Sequence, residues 1–458
     1  VGAAGGVLSR LFVRAGLNRD HHRIVNVCAC RPPNDYLAGA PWEHHAISQC
    51  QQYRQPVIDQ LPVDGVIVPL GAVALGVILG LQGVPGVAVK DFAGTVSRSP
   101  DNRHWVVPTF HPSHLQRGAM NLLDVVTEDS KLAEKISREG FVRARVELMV
   151  DPTLEWFRAW VTCHLDWVAR DPDAAWCAID TEFEGKPEDE SEAHVTGGVW
   201  LTRFNCAHDE SIGITVPYQG EFIREIERLL AGLAKLRGIA LLWFKYADWV
   251  PLAAAGHTLD GIEAYDLAAL WHHIQSDLPQ GLGFVAARAS DAGPWKPWAK
   301  DKARFGQYAA MDGVQTYRCG VWLIKAAIQL GMWEMFVRDW HERDQYCLRP
   351  AHLRGVPIDR PELDQFHLEN QEKLGRILAR IKETAAQGVL KPKLGYSKRP
   401  KGDPPVPPVS ILGKPKQGGA EAKSQYMLEG VQLAEKQIEV AVVVCDTCGA
   451  EDVGPKHR

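Results

Sequence analysis

The chain has 458 residues, 46% of them hydrophobic, enough for roughly two to four domains with sizeable cores. A net charge of −5 excludes a global basic field, so any contact with nucleic acid must rest on local patches or metal ions. Ten cysteines, scattered apart from Cys28/Cys30 and Cys445/Cys448, exclude a disulfide framework and point to a reducing, cytoplasmic setting. The uncharged run Gly65–Leu81 passes for a short membrane span, but Pro69 and Gly71 punctuate it. A buried strand, a turn and a buried helix fit it better, so neither a membrane span nor a signal peptide is expected.

Residues 1–143 read as alternating strands and helices. Val7–Gly16 has helical periodicity and stops at its glycine, and Arg23–Cys30 reads as a strand followed by the loop RPPND. Ile47–Leu61 reads as a helix broken by Pro56, and Trp105–Arg117 as a strand running into a loop that carries His111. Together they predict an α/β layer with functional loops at strand ends. The motifs VGAAGGVLSRLFVRAGL, IVNVCACRPPND, VIVPLGAVALGVILG and VPTFHPSHLQR follow in that order.

That series resembles the family 4 uracil-DNA glycosylases over most of residues 1–135. The resemblance implies that Asn26 reads a flipped uracil and that His111 lies beside the base and its glycosidic bond. A base taken out of the stack needs a tight pocket, and an amide offers its edge both a donor and an acceptor. The two residues are expected to share one cleft. Cys30 and Cys50 match half of the family's iron–sulfur ligands and are expected to approach each other at the surface, with Cys28 as strand packing. The family's Gly-Glu-x-Pro-Gly loop and N-terminal cysteine pair have no counterpart between Val1 and Arg458. A 4Fe-4S cluster is therefore expected only in a longer parent chain, and this chain is expected to release little or no uracil.

Residues 144–170 read as a pair of linking helices. Ala175–Gly185 then sets an apolar strand before Asp180 and Glu182, whose alternation puts both carboxylates on one face. The pair reads either as an exposed strand end or as ligands for a hard divalent cation such as Mg²⁺. Gly185–His194 is an acidic, solvated loop. Asp248 follows a second apolar run. Tyr308 and Asp312 stand four apart, on one face of a predicted helix.

Asp-x-Glu, then Asp, then Tyr-x-x-x-Asp resembles the Tyr-containing DEDD 3′–5′ exonucleases, over roughly residues 171–327. Leu267–Trp298 is similar to the segment after the second motif in proofreading domains of A-family DNA polymerases. The resemblance implies two Mg²⁺ or Mn²⁺ ions held by Asp180, Glu182, Asp248 and Asp312, with Tyr308 orienting the attacking water. The family's His and strand-gripping Asn are replaced here by Trp243 and Phe244.

Cys319–Phe336 reads as an amphipathic helix. The Arg-Gly-Val-Pro-Ile-Asp of Arg354–Asp359, then Pro361 opening a long helix, is similar to the start of an A-family polymerase thumb. Leu390–Lys423 is a basic Pro/Gly-rich stretch, read as phosphate contact or as a plain linker. Cys445 and Cys448 form half of a zinc-ribbon pattern, so zinc is expected only if further ligands follow.

The expected fold class is multidomain α/β. A uracil-DNA glycosylase-like α/β/α domain spans 1–143, linking helices 144–170 and a ribonuclease H-like exonuclease 171–327. A mainly helical segment follows, with the start of a thumb at 328–386 and the basic loop and CxxC at 387–458. The expected partner is DNA, as a single-stranded 3′ end or primer–template. Two other readings stay open: uracil excision by the first domain, and a non-catalytic DNA-binding module that positions a polymerase.

Overall fold

The computed structural model describes residues 3–386, without 31, 33–36, 83, 85–86, 185–199, 258–259, 349–350 and 352–358. The acidic loop, the basic stretch, most of RPPND, and Cys445 and Cys448 lie outside the described residues. Those described up to Leu348 form one compact unit, and the helix Arg360–Ala386, with Pro361 in its first turn, belongs to another.

Helix α1 (Ala3–Ala15) buries Val7, Leu8 and Leu11, an i, i+1, i+4 stripe, and ends where Gly16 turns left-handed at φ +71°. Arg23–Cys30 joins no strand ladder and bends at Val27, Ala29 and Cys30, which corrects the strand expectation. Side chains take the bonds a neighbouring strand would have made. Cys50 Sγ accepts from the Ala29 N–H at 3.3 Å, and Arg54 donates to the Val27 carbonyl at 3.4 Å. Helices α2 (Glu43–Gln49) and α3 (Gln51–Asp59) meet at Cys50, so the break falls there and Pro56 sits inside α3.

Strand β1 (Val66–Ile67), helix α4 (Ala72–Leu79), β2 (Ser97–Arg98) and β3 (Trp105–Val106) follow. The small sheet has the order β1-β3-β2, with β1 and β3 parallel. Helices α5 (Pro112–Gln116) and α6 (Leu123–Glu139) close this lobe.

The expected linking helix pair is one strand and one helix, β4 (Glu147–Val150) and α7 (Leu154–Arg170). Asp151–Pro152 separates them, and the Thr153 side chain caps α7 by accepting from the Trp156 N–H. The large sheet adds β5 (Trp176–Glu184), β6 (Trp200–Ala207), β7 (Ile212–Pro217), β8 (Ile239–Leu242) and β9 (Glu263–Asp266), in the order β4-β7-β6-β5-β8-β9. Helix α8 (Gly220–Leu236) lies between β7 and β8, α9 (Lys245–Ala254) between β8 and β9, and α10 (Leu267–Ile274), α11 (Leu282–Ala289) and α12 (Phe305–Gln329) follow.

Alternation along β5 sorts its side chains between two cores. Cys177 and Ile179 pack toward α7 and α8, while Ala178 joins the cluster that holds Val314 and Leu323 of α12. That second cluster also contains Val7, Leu11, Phe110 and Val126, so the first lobe and the large sheet share one apolar core. Helix α12 runs unbroken through Cys319 and ends before Gly331 (φ +68°), which corrects the expected Cys319–Phe336 helix. Among the described residues no single helix is long and apolar enough to cross a membrane.

Candidate functional site

Asp180 and Glu182 follow Ala178 on the β5 face that looks toward α12, and Asp312 comes from α12 itself. Carboxylate oxygens of these three lie within 4.8 Å of one another. The approach depends on glycines. A Cβ on Gly213 of β7 would sit 2.1 Å from the Ala310 carbonyl oxygen, and one on Gly313 would meet the Cys206 backbone at 3.2 Å.

Asn205 stands opposite Asp180 on β6 and is fully buried. Its Nδ2 donates to Asp180 Oδ2 at 2.7 Å and to Glu182 Oε1 at 3.4 Å. Thr215 Oγ1 donates to Asn205 Oδ1 at 2.6 Å, and Arg203 Nε donates to Thr215 Oγ1 at 2.9 Å. This relay fixes which way the amide faces. Asp312 accepts from Trp295 Nε1 at 2.5 Å and from Lys296 Nζ at 2.8 and 2.9 Å, one contact to each oxygen.

Asp248, in the first turn of α9, is not one of the three clustered acids. Its Oδ1 accepts from the Thr181 backbone N–H (2.8 Å) and hydroxyl (2.9 Å), while its Oδ2 is buried without a partner. Phe244, just before α9, is left-handed at φ +52° and half exposed. Tyr308 lies one turn before Asp312, with Lys296 Nζ 5.2 Å from its ring centre.

The electrostatics are those of crowded acids out of water. Burial, then the Asp312 charge, raises the Asp180 carboxyl. Burial, then Asp180 and Asp312, raises Glu182. Burial and Asp180 raise Asp248. Burial and Asp312 hold the Tyr308 phenol in its protonated form. An all-oxygen donor set, mutual repulsion and an orphaned carboxylate oxygen fit a hard divalent cation such as Mg²⁺ or Mn²⁺.

In the first lobe, Asn26 lines a cleft of about 500 Å³, with Arg23–Val27 on one wall and Gly65–Leu70 on another. Its amide oxygen is buried without a protein partner. His111 does not line that cleft. It is turned inward to cap α5, its Nδ1 accepting from the Ser113 N–H at 3.0 Å, so the two residues expected to share a cleft are not brought together there. The cysteines also differ from expectation. Cys28, expected only as strand packing, lies against Cys50, which is buried and not at the surface, and burial, then the Cys50 thiol, pushes the Cys28 thiol up to about 12. The chain bends over Cys28–Cys30 instead of running as a strand, and this leaves Cys30 exposed.

Local spacing, together with the resemblance in motif order, singled out the acids and Tyr308. It missed Asn205, Thr215, Trp295 and Lys296. Asn205 becomes visible only once β5 and β6 are paired in register. Trp295 and Lys296 come from the GPWKPW turn, which has no periodicity.

Residues 1–134 match the family model described as the uracil DNA glycosylase superfamily. A type-4 uracil-DNA glycosylase of Thermotoga maritima is 36% identical over 146 residues, 31% of this chain and 69% of that protein. One of Sulfurisphaera tokodaii is 30% identical over 140 residues, 30% of this chain and 61% of its own. The fold is mixed α/β with a glycosylase-type first domain. Through that domain, the chain belongs to the type-4 uracil-DNA glycosylase family. A solved structure described as the POL domain of Pol1 from M. smegmatis in complex with DNA primer-template and dNTP covers 63% of this chain and 48% of its own. Its sequence identity is 14% and its TM-score 0.39, a likeness that defines neither fold nor function.

Proposed function

We propose that the chain is a DNA replication and repair protein whose acidic centre is a 3′–5′ exonuclease of the Tyr-containing DEDD type, on a ribonuclease H-like fold and associated with an A-family DNA polymerase. The observation that carries this reading is the meeting of Asp180, Glu182 and Asp312 within 4.8 Å. Asp180, Glu182 and Asp312 would hold the ions, with Asp248 completing the set through water. When bound, two divalent ions supply Lewis-acid stabilisation of the attacking and leaving oxygens of a phosphodiester. The chain's own residues prepare that chemistry. Asn205 holds two carboxylates side by side. Trp295 steadies the third. Tyr308, kept protonated and hydrogen-bonded to Asp312, stands one turn before that acid and would orient a water at the scissile phosphate.

The test is release of mononucleotides from a 5′-labelled single strand in Mg²⁺. Asp180→Ala and Asp312→Ala should each reduce release by about a hundredfold or more while the fold persists. Unchanged release by both variants would overturn the reading.

A second reading is recognition of uracil by residues 1–134. Its support is the family membership, with the unpartnered Asn26 amide oxygen on the cleft wall. A uracil-containing strand should be retained more tightly than its thymine counterpart, and Asn26→Ala should erase the difference. Equal retention by the wild type would remove this reading. Liberated free uracil would show that excision, and not recognition alone, takes place.

A further inference from the structure

Lys296 is the only cation hydrogen-bonded to the clustered acids among the described residues. Its Nζ bridges both Asp312 oxygens, at 2.8 and 2.9 Å. Trp295 Nε1 takes a further position on Oδ1. Tyr308 is hydrogen-bonded to Asp312 as well, so three donors crowd this carboxylate and an ion that uses it competes with them.

They differ in how readily they can leave. Trp295 is 1% exposed and locked in the shared core. The Lys296 side chain is 26% exposed, on a stem that passes Gly283, where a Cβ would come within 3.0 Å of its Cγ. Its ammonium also faces the rings of Trp295 and Tyr308, at 5.4 and 5.2 Å, surfaces that hold a cation without binding it irreversibly.

We infer that Lys296 is an internal counter-ion of the acidic centre, which holds Asp312 in place without metal and exchanges with a divalent cation at that carboxylate. The inference rests on the metal-site reading above. Lys296 is a positioning residue and touches no reacting atom. Apparent metal affinity is then set by an exchange of cations, and the chain trades tighter binding for a site that stays assembled when empty.

The test is Mn²⁺ binding to the full chain by calorimetry, with melting temperatures measured in EDTA and in Mn²⁺. Lys296→Met and Lys296→Gln should bind Mn²⁺ about tenfold more tightly than wild type, since a competing charge is gone. Both should melt lower in EDTA and gain more on adding Mn²⁺. Lys296→Arg, which keeps the charge, should stay near wild type and so separates charge from packing. Binding by the wild type with equal or weaker binding by Met and Gln variants overturns the exchange alone. No Mn²⁺ binding by the wild type, with Asp180→Asn indistinguishable from it, overturns the metal-site reading as well.

Discussion

At the scale of single residues, the buried polar groups divide into those that serve the site and those that serve only the fold. His164 of α7 is fully buried among Trp160, Trp167 and His208, and neither ring nitrogen has a hydrogen-bond partner. Burial, then His208, lowers its pKa to about 3 from 6.5. The sign follows. Between those values the unfolded chain takes up a proton that the folded chain refuses, so stability falls as pH drops below 6.5. The loss should be on the order of 2 kcal/mol by pH 5. His164→Phe should flatten the melting temperature between pH 7 and pH 5, and equal acid slopes for both proteins would refute this origin. Strand and helix periods pair Asp180 with Glu182 and Tyr308 with Asp312 before any fold is known, but that the two pairs belong together came only from the resemblance in motif order. Asn205 and Lys296 were not legible, because their importance is a property of pairing across space.

At the scale of elements, the contact between α12 and β7 sets the reach of Asp312. Gly213 leaves 2.1 Å between a would-be Cβ and the Ala310 carbonyl, backbone against backbone, so neither side can yield cheaply. Gly213→Ala should cost about 1–3 kcal/mol and move Asp312 out of ligand range. Circular dichroism melts and Mn²⁺ calorimetry would check both effects, and unchanged melting with full metal binding would show that the helix relaxes freely. Element type was readable wherever apolar spacing was regular, as in α1 and β5. It failed at Glu147–Val150, an edge strand whose burial does not alternate cleanly, and at Arg23–Cys30, whose backbone bonds are taken by side chains. The glycine that ends α12 was misjudged because its helix begins well upstream, at Phe305.

At the scale of the molecule, the first lobe and the large sheet are joined by more than apolar contact. Asp129 of α6 accepts from Thr109 Oγ1 at 2.6 Å and pairs with Arg288 of α11 at 3.4 Å. Arg288 also donates to the Ala93 and Phe284 carbonyls, at 3.3 and 2.7 Å. Arg288→Ala strands a nearly buried carboxylate and should cost about 3–5 kcal/mol. Because the core is shared, residues 1–348 should unfold in one calorimetric transition, lowered as a whole by that substitution. Two separate transitions in the wild type would contradict a common core. Boundaries drawn from the sequence at 143 and 170 mark changes of motif. They could not reveal that Val7 and Val314 belong to the same cluster, since nothing in either stretch encodes the other's position.

The left-handed backbone at Phe244 has a mechanical consequence. A bulky L-residue in that region costs about 1–2 kcal/mol, and here the cost is met by anchoring the next residue. Lys245 donates its backbone N–H to Asp266 at 3.2 Å, and its buried side chain is ion-paired with Asp344. The first turn of α9 thus rests on a few polar anchors, whereas β5 and α12 are braced by sheet pairing and close packing. The three clustered acids stand on the braced elements, while Asp248 stands on the anchored first turn of α9. The amides of Tyr246–Asp248, in a helix's first turn, should therefore exchange with solvent hydrogen sooner than those of Ile179–Glu182 in a paired strand.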